Sequence, residues 1–142
     1  MLLAYCDASY KNNKAIATTL ITTEDTFVTC FSKPYTDVSS SVKAELLGVL
    51  QTIEYIYNGG FKDKQVVLFT DSRTIALKYI SILAKWEVPE NEKEAEIYKK
   101  LLFYSSTFNI NVQHIRGHQH THNPNKVCDI LSKAYCEEAF PE

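Results

Sequence analysis

Hydrophobic residues near the start of the chain fall into three short runs. Residues 2–9 form an apolar run, and residues 14–22 and 26–33 are rich in Thr, Val, Ile and Phe. β-Branched and aromatic residues favour strands, and the polar residues between the second and third runs favour a turn. This pattern predicts a three-stranded antiparallel meander.

The next segment changes to a helical pattern. Apolar residues recur along one helical face at Leu46, Leu50, Ile53 and Tyr57. The serine hydroxyls at 39–41 can cap the N-terminus of such a helix, and the glycines at 59–60 end it. Residues 65–70 follow as an apolar run with polar ends, which is typical of a strand covered on both faces.

Helical periodicity returns in two further segments, 73–84 and 91–106, with a break near Pro89. A strand is expected at 110–116, followed by a polar loop and a final helix at 125–138. The order β-β-β-α-β-α-α-β-α predicts an α/β fold. We expect a five-stranded mixed sheet, with three antiparallel strands and then two parallel ones, flanked by helices.

Bulk properties limit the possible functions. A chain of 142 residues fits one domain spanning 1–142. No apolar run is long enough for a bilayer. With an acid at position 7, we expect neither a signal peptide nor an upstream hybrid-binding domain. The net charge of −2 argues against binding nucleic acid by bulk electrostatics. The four cysteines form no C-x-x-C pair, which predicts reduced thiols and a cytoplasmic location.

Four acids stand near the ends of predicted elements. Asp7 lies in the first strand, Asp71 ends the fourth, and Glu45 and Asp129 lie in the first turns of helices. Reactive groups in such sheets gather at the carboxyl ends of parallel strands, so these acids can share one site. Crowded carboxylates raise one another's pKa, and hard divalent cations neutralise them. Two such ions about 4 Å apart activate water and stabilise a leaving phosphodiester oxygen, which indicates a nuclease.

Each acid also has a structural explanation. Asp71 can cap the following helix, and Glu45 is favoured near a helix start by the helix dipole. Asp129, inside a predicted helix, can be a solvated surface acid. Asp7 is harder to explain in this way, because an interior strand seldom holds an unpaired charge. The structural explanations together require four coincidences, and so a shared site is the better hypothesis.

Four motifs carry these acids along nearly the whole chain. They are C-D-A-S at 6–9, K-A-E-L-L at 43–47, F-T-D-S at 69–72, and G-H at 117–118 followed by N-K-V-C-D at 125–129. Together they resemble type 1 ribonuclease H. The resemblance implies a ribonuclease H-like fold and an endonuclease that hydrolyses the RNA strand of RNA:DNA hybrids. It implies two Mg²⁺ ions, for which Mn²⁺ can substitute, and products with 5′-phosphate and 3′-hydroxyl ends.

The resemblance also implies roles for single residues. The acids Asp7, Glu45, Asp71 and Asp129 match the family's metal ligands, with Asp7 shared by both ions. His118 matches a mobile histidine that assists proton transfer or product release. The matched substrate contacts are Asn13 and Ser40 at a DNA phosphate, Ser41 at the RNA 2′-hydroxyl, and Arg73 and Asn125 nearby.

Several positions depart from the family pattern. Ala8 replaces a common Gly and Val42 a frequent Asn, and both changes affect substrate contact. The segment 78–106 is too short and too acidic to form the basic handle of some bacterial members, although it contains Trp86. We therefore expect weaker hybrid affinity. We also expect a monomer without membrane association, and a replication protein as a further partner stays open.

Other hypotheses remain for the same residues. The histidines at 118, 120 and 122 alternate, so the identity of the catalytic one is open and zinc binding is an alternative. His114 is expected to pack or to form a hydrogen bond, and Tyr10 is a candidate for stacking on a nucleotide. A non-catalytic or weakly active module that binds nucleic acid or a protein partner is the alternative function.

Overall fold

The computed structural model describes residues 1–115, and residues 116–142 lie outside the described part. Within the described residues, five strands and three helices follow in the order β-β-β-α-β-α-α-β. Their bounds are β1 (Leu2–Lys11), β2 (Lys14–Thr22), β3 (Phe27–Tyr35), α1 (Ser41–Asn58), β4 (Gln65–Thr70), α2 (Arg73–Lys85), α3 (Ala95–Ser105) and β5 (Asn109–His114). The predicted order is confirmed over this range, and the final helix expected at 125–138 lies outside it.

The strands form one sheet in the order β3-β2-β1-β4-β5. β1 and β2 are antiparallel, as are β2 and β3, whereas β4 runs parallel to both β1 and β5. This is the predicted mixed sheet of three antiparallel strands followed by two parallel ones. β1 is the central strand. It pairs antiparallel with β2 on one side and parallel with β4 on the other.

A tight hairpin joins β1 to β2. Lys11 pairs with Lys14, so the turn consists of Asn12 and Asn13, whose φ angles are 51° and 63°. Two successive left-handed residues give a turn whose twist matches that of the flanking strands, and Asn tolerates this conformation better than most residues. The backbone N–H of Val38 donates to the Asn13 carbonyl at 2.9 Å, which ties the hairpin tip to the segment before α1.

The main core lies between the helices and the sheet face that carries Leu2, Ala4 and Cys6. The buried side of α1 differs from the predicted stripe, because Gln51 and Thr52 are buried while Leu50 and Tyr57 are only partly so. These polar side chains are satisfied internally. Gln51 Nε2 donates to the Ala17 carbonyl at 3.0 Å, and Thr52 Oγ1 lies 2.7 Å from Thr19 Oγ1.

Helix α2 ends at Trp86, which adopts a left-handed conformation with φ 55°. The expected start of the next helix at 91 was wrong, since α3 begins at Ala95. Short turn hydrogen bonds precede it, from the Glu92 N–H to the Pro89 carbonyl and from the Ala95 N–H to the Glu92 carbonyl. Because Pro89 and these turns occupy the segment before Ala95, the helix begins later than the apolar periodicity does.

Two further expectations concern the described residues. Cys6 and Cys30 are free thiols in this part of the chain, as predicted. None of the helices within 1–115 has the length and apolar character that crossing a membrane requires.

Candidate active site

The two central parallel strands bring Asp7 and Asp71 to the same edge of the sheet. The parallel register of β1 and β4 runs to the pair Tyr5 and Phe69. Asp7 lies two residues after Tyr5, and Asp71 lies two residues after Phe69, so the two acids occupy equivalent places beyond the last register pair. Asp7 is within β1 and only 2% exposed, whereas Asp71 follows the end of β4 and is half-buried.

Helix α1 reaches this edge because it approaches β1 closely at Gly48. A Cβ at Gly48 would lie 3.3 Å from the Asp7 carbonyl oxygen and 3.6 Å from Ala17 Cβ. A Cβ there would require the helix or the strand to shift by a few tenths of an ångström. Glu45 precedes Gly48 by about one helical turn, so the close approach brings its carboxylate towards Asp7.

One carboxylate oxygen from each of Asp7, Glu45 and Asp71 lies within 4.8 Å of the other two. The structure therefore brings together three of the four acids that the sequence predicted to share one site. Carboxylate oxygens are the ligands that Mg²⁺ and Ca²⁺ prefer, and a cation between them relieves the repulsion of three like charges. This acidic triad can hold a divalent metal ion.

The structural explanation for Asp71 does not hold. The N-cap of α2 is Ser72, whose hydroxyl accepts a hydrogen bond from the Ile75 N–H at 3.4 Å. Glu45 is likewise outside the first turn of α1, which contains no acid and is capped by Ser40. Neither carboxylate is needed to start its helix.

The predicted substrate contacts within the described residues lie at the first hairpin and at the starts of α1 and α2. Asn13 is exposed at the hairpin tip, and Ser41 and Arg73 are exposed in the first turns of their helices. Ser40 is half-buried, and its hydroxyl accepts from the Lys43 N–H at 3.1 Å. Ser40 is therefore at least a helix cap. Whether these four residues touch a substrate stays a prediction.

Tyr10 has a packing role that the stacking hypothesis did not anticipate. Its side chain packs against the small cluster of Ala15, Val38 and Ala44. Its hydroxyl lies 3.1 Å from the Val38 carbonyl and 3.1 Å from Asn13 Oδ1. Tyr10 thus helps to hold the hairpin tip against the segment that leads into α1.

Sequence reasoning missed two hydrogen bonds beside Asp71. The Thr70 hydroxyl accepts from the Ser72 N–H at 3.1 Å, and His114 Nε2 lies 3.2 Å from the Asp71 carbonyl oxygen. The hydrogen-bonded role expected for His114 is confirmed, but its partner was not foreseen. The F-T-D-S motif contained the signal for Thr70, because a Thr hydroxyl at a strand end often accepts from the backbone N–H two residues later.

The remaining predicted site residues fall at positions 116–142. They are Asp129, His118 and Asn125, together with the alternative histidines His120 and His122. All of them lie outside the described residues, as does the alternating histidine set of the zinc hypothesis.

Comparison with solved structures places this fold among ribonucleases H. RNase H1 from the halophilic archaeon Halobacterium salinarum NRC-1 has a TM-score of 0.74 at 15% identity, covering 96% of this chain and 98% of that one. LC11-RNase H1, solved in complex with an RNA/DNA hybrid, has a TM-score of 0.75 at 16% identity, covering 98% and 99%. These identities are low, so the likeness demonstrates a common fold.

A third similar structure is the foamy viral protease-reverse transcriptase in complex with dsDNA. Its TM-score is 0.70 at 18% identity, covering 99% of this chain and 94% of that one. No curated protein matches the chain. The family model for RNase H, however, matches residues 1–137. Because that match covers nearly the whole sequence, this chain belongs to the RNase H family.

Proposed function

We propose that this protein hydrolyses the RNA strand of RNA:DNA hybrids, cutting internally and leaving 5′-phosphate and 3′-hydroxyl ends. The observation that carries the proposal is the triad Asp7, Glu45 and Asp71, whose oxygens lie within 4.8 Å of one another. Three carboxylates in one pocket repel one another unless a cation neutralises them, so their close placement supports a metal-binding role. Membership of a nuclease family supplies the reaction.

The donor set fits hard divalent cations, with Mg²⁺ as the proposed cofactor and Mn²⁺ as a substitute. Asp7, Glu45 and Asp71 would hold the ions, and Asp129 is the proposed fourth ligand. When bound, two such ions supply an activated water and stabilise the leaving 3′-oxygen. Asp7, which is 2% exposed and lies on the central strand, is the proposed ligand for both ions because it matches the shared acid of the family pattern.

The chain's own groups would orient the substrate around this centre. Asn13 and Ser40 are the proposed contacts to a phosphate of the DNA strand, supported by the hydrogen bond that ties the Asn13 carbonyl to Val38 N–H. Ser41 is exposed at the start of α1 and is the proposed contact to the RNA 2′-hydroxyl. Further proposed roles fall to Arg73 and Asn125 in substrate binding and to His118 in proton transfer or product release.

We infer a single domain over 1–142, because one sheet joins all five described strands. We propose that it acts as a monomer. The free thiols of Cys6 and Cys30 support a reducing, cytoplasmic compartment. LC11-RNase H1 was solved with an RNA/DNA hybrid, which supports a hybrid as the substrate class here. The acidic triad favours an enzyme over a module that only binds nucleic acid, because binding alone gives no reason to hold three carboxylates together.

The test uses an end-labelled RNA:DNA hybrid with Mg²⁺, with Mn²⁺ and with EDTA. We expect internal cuts in the RNA strand with either metal and none with EDTA. Asp71→Asn is the inactive variant, and Glu90→Gln, an exposed acid after α2, is its matched control with full activity. Intact RNA in every condition would leave the binding module as the better account, whereas cutting of the DNA strand of the hybrid would redirect the substrate assignment.

A further inference from the structure

The peptide group between Asp71 and Ser72 is held by hydrogen bonds at both of its polar atoms. Its carbonyl oxygen, which belongs to Asp71, lies 3.2 Å from His114 Nε2. Its N–H, which belongs to Ser72, donates to Thr70 Oγ1 at 3.1 Å. Because a carbonyl only accepts, Nε2 must carry the proton and donate. Two side chains from different strands therefore hold a single peptide plane.

The preceding peptide is held as well. The N–H of Ile115 donates to the Thr70 carbonyl at 2.9 Å, where β5 ends beside β4. Thr70 and His114 are themselves register partners in the parallel pair of β4 and β5. Both peptide groups that flank the Asp71 Cα are thus fixed by the same pair of strand ends.

Fixing these two planes fixes the direction of the Asp71 side chain. A peptide group is planar, so holding the planes on either side of a Cα sets its φ and ψ. The Cβ bond then has one direction, and it is the bond from which the carboxylate reaches Asp7 and Glu45. Groups that orient a metal ligand without touching the metal commonly matter about 10- to 100-fold in metal affinity or activity.

We propose that Thr70 and His114 are positioning residues, which aim the Asp71 carboxylate into the acidic triad by clamping the Asp71–Ser72 peptide. The inference rests on the proposed function only in taking Asp71 as a metal ligand. His114 is exposed, so its contribution to packing is small, whereas Thr70 is 1% exposed and its hydroxyl is committed to this turn. The two therefore act through the backbone of Asp71.

The test compares variants that keep or remove each hydrogen bond. His114→Gln keeps a donor where Nε2 stands and His114→Ala removes it, while Thr70→Ser keeps the hydroxyl and Thr70→Val removes it at nearly equal volume. Gln113→Ala is the matched control, because Gln113 is exposed beside His114 and its side chain donates to Asn111 Oδ1, away from the Asp71–Ser72 peptide. The first readout is Mn²⁺ binding to the protein without hybrid, by calorimetry. The second is hydrogen exchange of the Ser72 amide in metal-free protein, by NMR.

We expect His114→Ala and Thr70→Val each to weaken Mn²⁺ binding by about tenfold, with His114→Gln, Thr70→Ser and Gln113→Ala within about threefold of the parent. His114→Ala should also speed exchange of the Ser72 amide by about tenfold, although His114 does not bond that amide itself. Melting curves identify any variant that is merely unfolded, and the conservative variant at the same position then decides.

Unchanged Ser72 exchange in a folded His114→Ala protein would overturn the clamp, as would a His114→Gln protein no better than His114→Ala. The exchange measurement requires no metal and no hybrid. It therefore judges the clamp even if the parent protein fails to bind Mn²⁺ or to cut RNA, in which case the proposed function alone is at fault.

Discussion

Asp7 and Asp71 occupy equivalent positions on neighbouring parallel strands, each two residues past the last register pair of Tyr5 and Phe69. This relationship follows from the backbone alone, because parallel strands in register deliver their next residues to the same edge. The close approach of α1 at Gly48 adds Glu45 to the pair. The site is thus built by the centre of the sheet and one helix.

Replacing Asp71 should separate chemistry from folding. Asp71→Asn removes one of three crowded negative charges and with it a proposed metal ligand. We expect at least about a 100-fold loss of hybrid cleavage, which is the order of loss when a group that stabilises charge in the transition state is removed. Stability in EDTA should stay the same or rise slightly, because Ser72 and not Asp71 caps α2. Thermal melting measures this. A fall of more than about 3 °C, or roughly 1 kcal/mol, would show that Asp71 supports the fold.

Ser40 should show two separable roles. Ser40→Ala removes the N-cap of α1 and should cost about 1 kcal/mol of unfolding free energy. If Ser40 also contacts a phosphate, KM for the hybrid should rise, while Ser40→Thr should keep both the cap and the contact. Urea unfolding and steady-state kinetics measure the two effects. Lower stability with an unchanged KM would restrict Ser40 to capping.

Substituting Gly48 should affect hybrid cleavage more than the free energy of unfolding. Ala gains about 1 kcal/mol over Gly in a helix, but here its Cβ would crowd the Asp7 carbonyl at 3.3 Å. The two effects oppose each other, so Gly48→Ala should change stability by less than about 1 kcal/mol. Hybrid cleavage should fall, because any shift of α1 carries Glu45 away from Asp7. Gly48→Leu should lower activity too and should also cost about 1–3 kcal/mol of unfolding free energy. Full activity in either variant would contradict the role of Gly48 in placing Glu45.

Stability should decline at alkaline pH, partly through Tyr35. Burial and then the nearby negative charge of Glu54 raise the pKa of Tyr35 to about 12 from 10.0. The folded state therefore disfavours the ionised phenol, so this contribution to stability is complete below pH 10 and is lost as the pH rises from 10 to 12. Tyr35→Phe should make that decline shallower, although it also removes the hydrogen bond to Gln51 Oε1 at 2.8 Å. Tyr55→Phe is the exposed control, and equal pH profiles for all three proteins would refute the assignment.

Much of the fold was predictable because its elements have simple periodicities. The apolar run at 65–70 became β4 with the same bounds, and the serines at 39–41 correctly marked the start of α1. The buried face of α1 was predicted incorrectly at Gln51 and Thr52. Polar residues are expected to be exposed, but these side chains are buried with hydrogen-bond partners. Partners on distant strands leave no local signal in the sequence.

Three acids of the candidate site were predictable, but the residues that support them were not. An acid at the end of an apolar run is anomalous, and Asp7 and Asp71 were found in that way. Gly48 could have been found, since a glycine within a helical pattern often marks a close packing contact. The hydrogen bond from His114 to the Asp71 carbonyl required the register of β4 and β5, which no local pattern sets.

The central claim is that Asp7, Glu45 and Asp71 share a metal centre. Anomalous diffraction from crystals soaked in Mn²⁺ tests it most directly. We expect peaks bound by carboxylate oxygens of all three residues in the parent protein, and weaker or absent peaks in Asp71→Asn. Three carboxylates turned apart, with no peak between them at saturating Mn²⁺, would contradict the account.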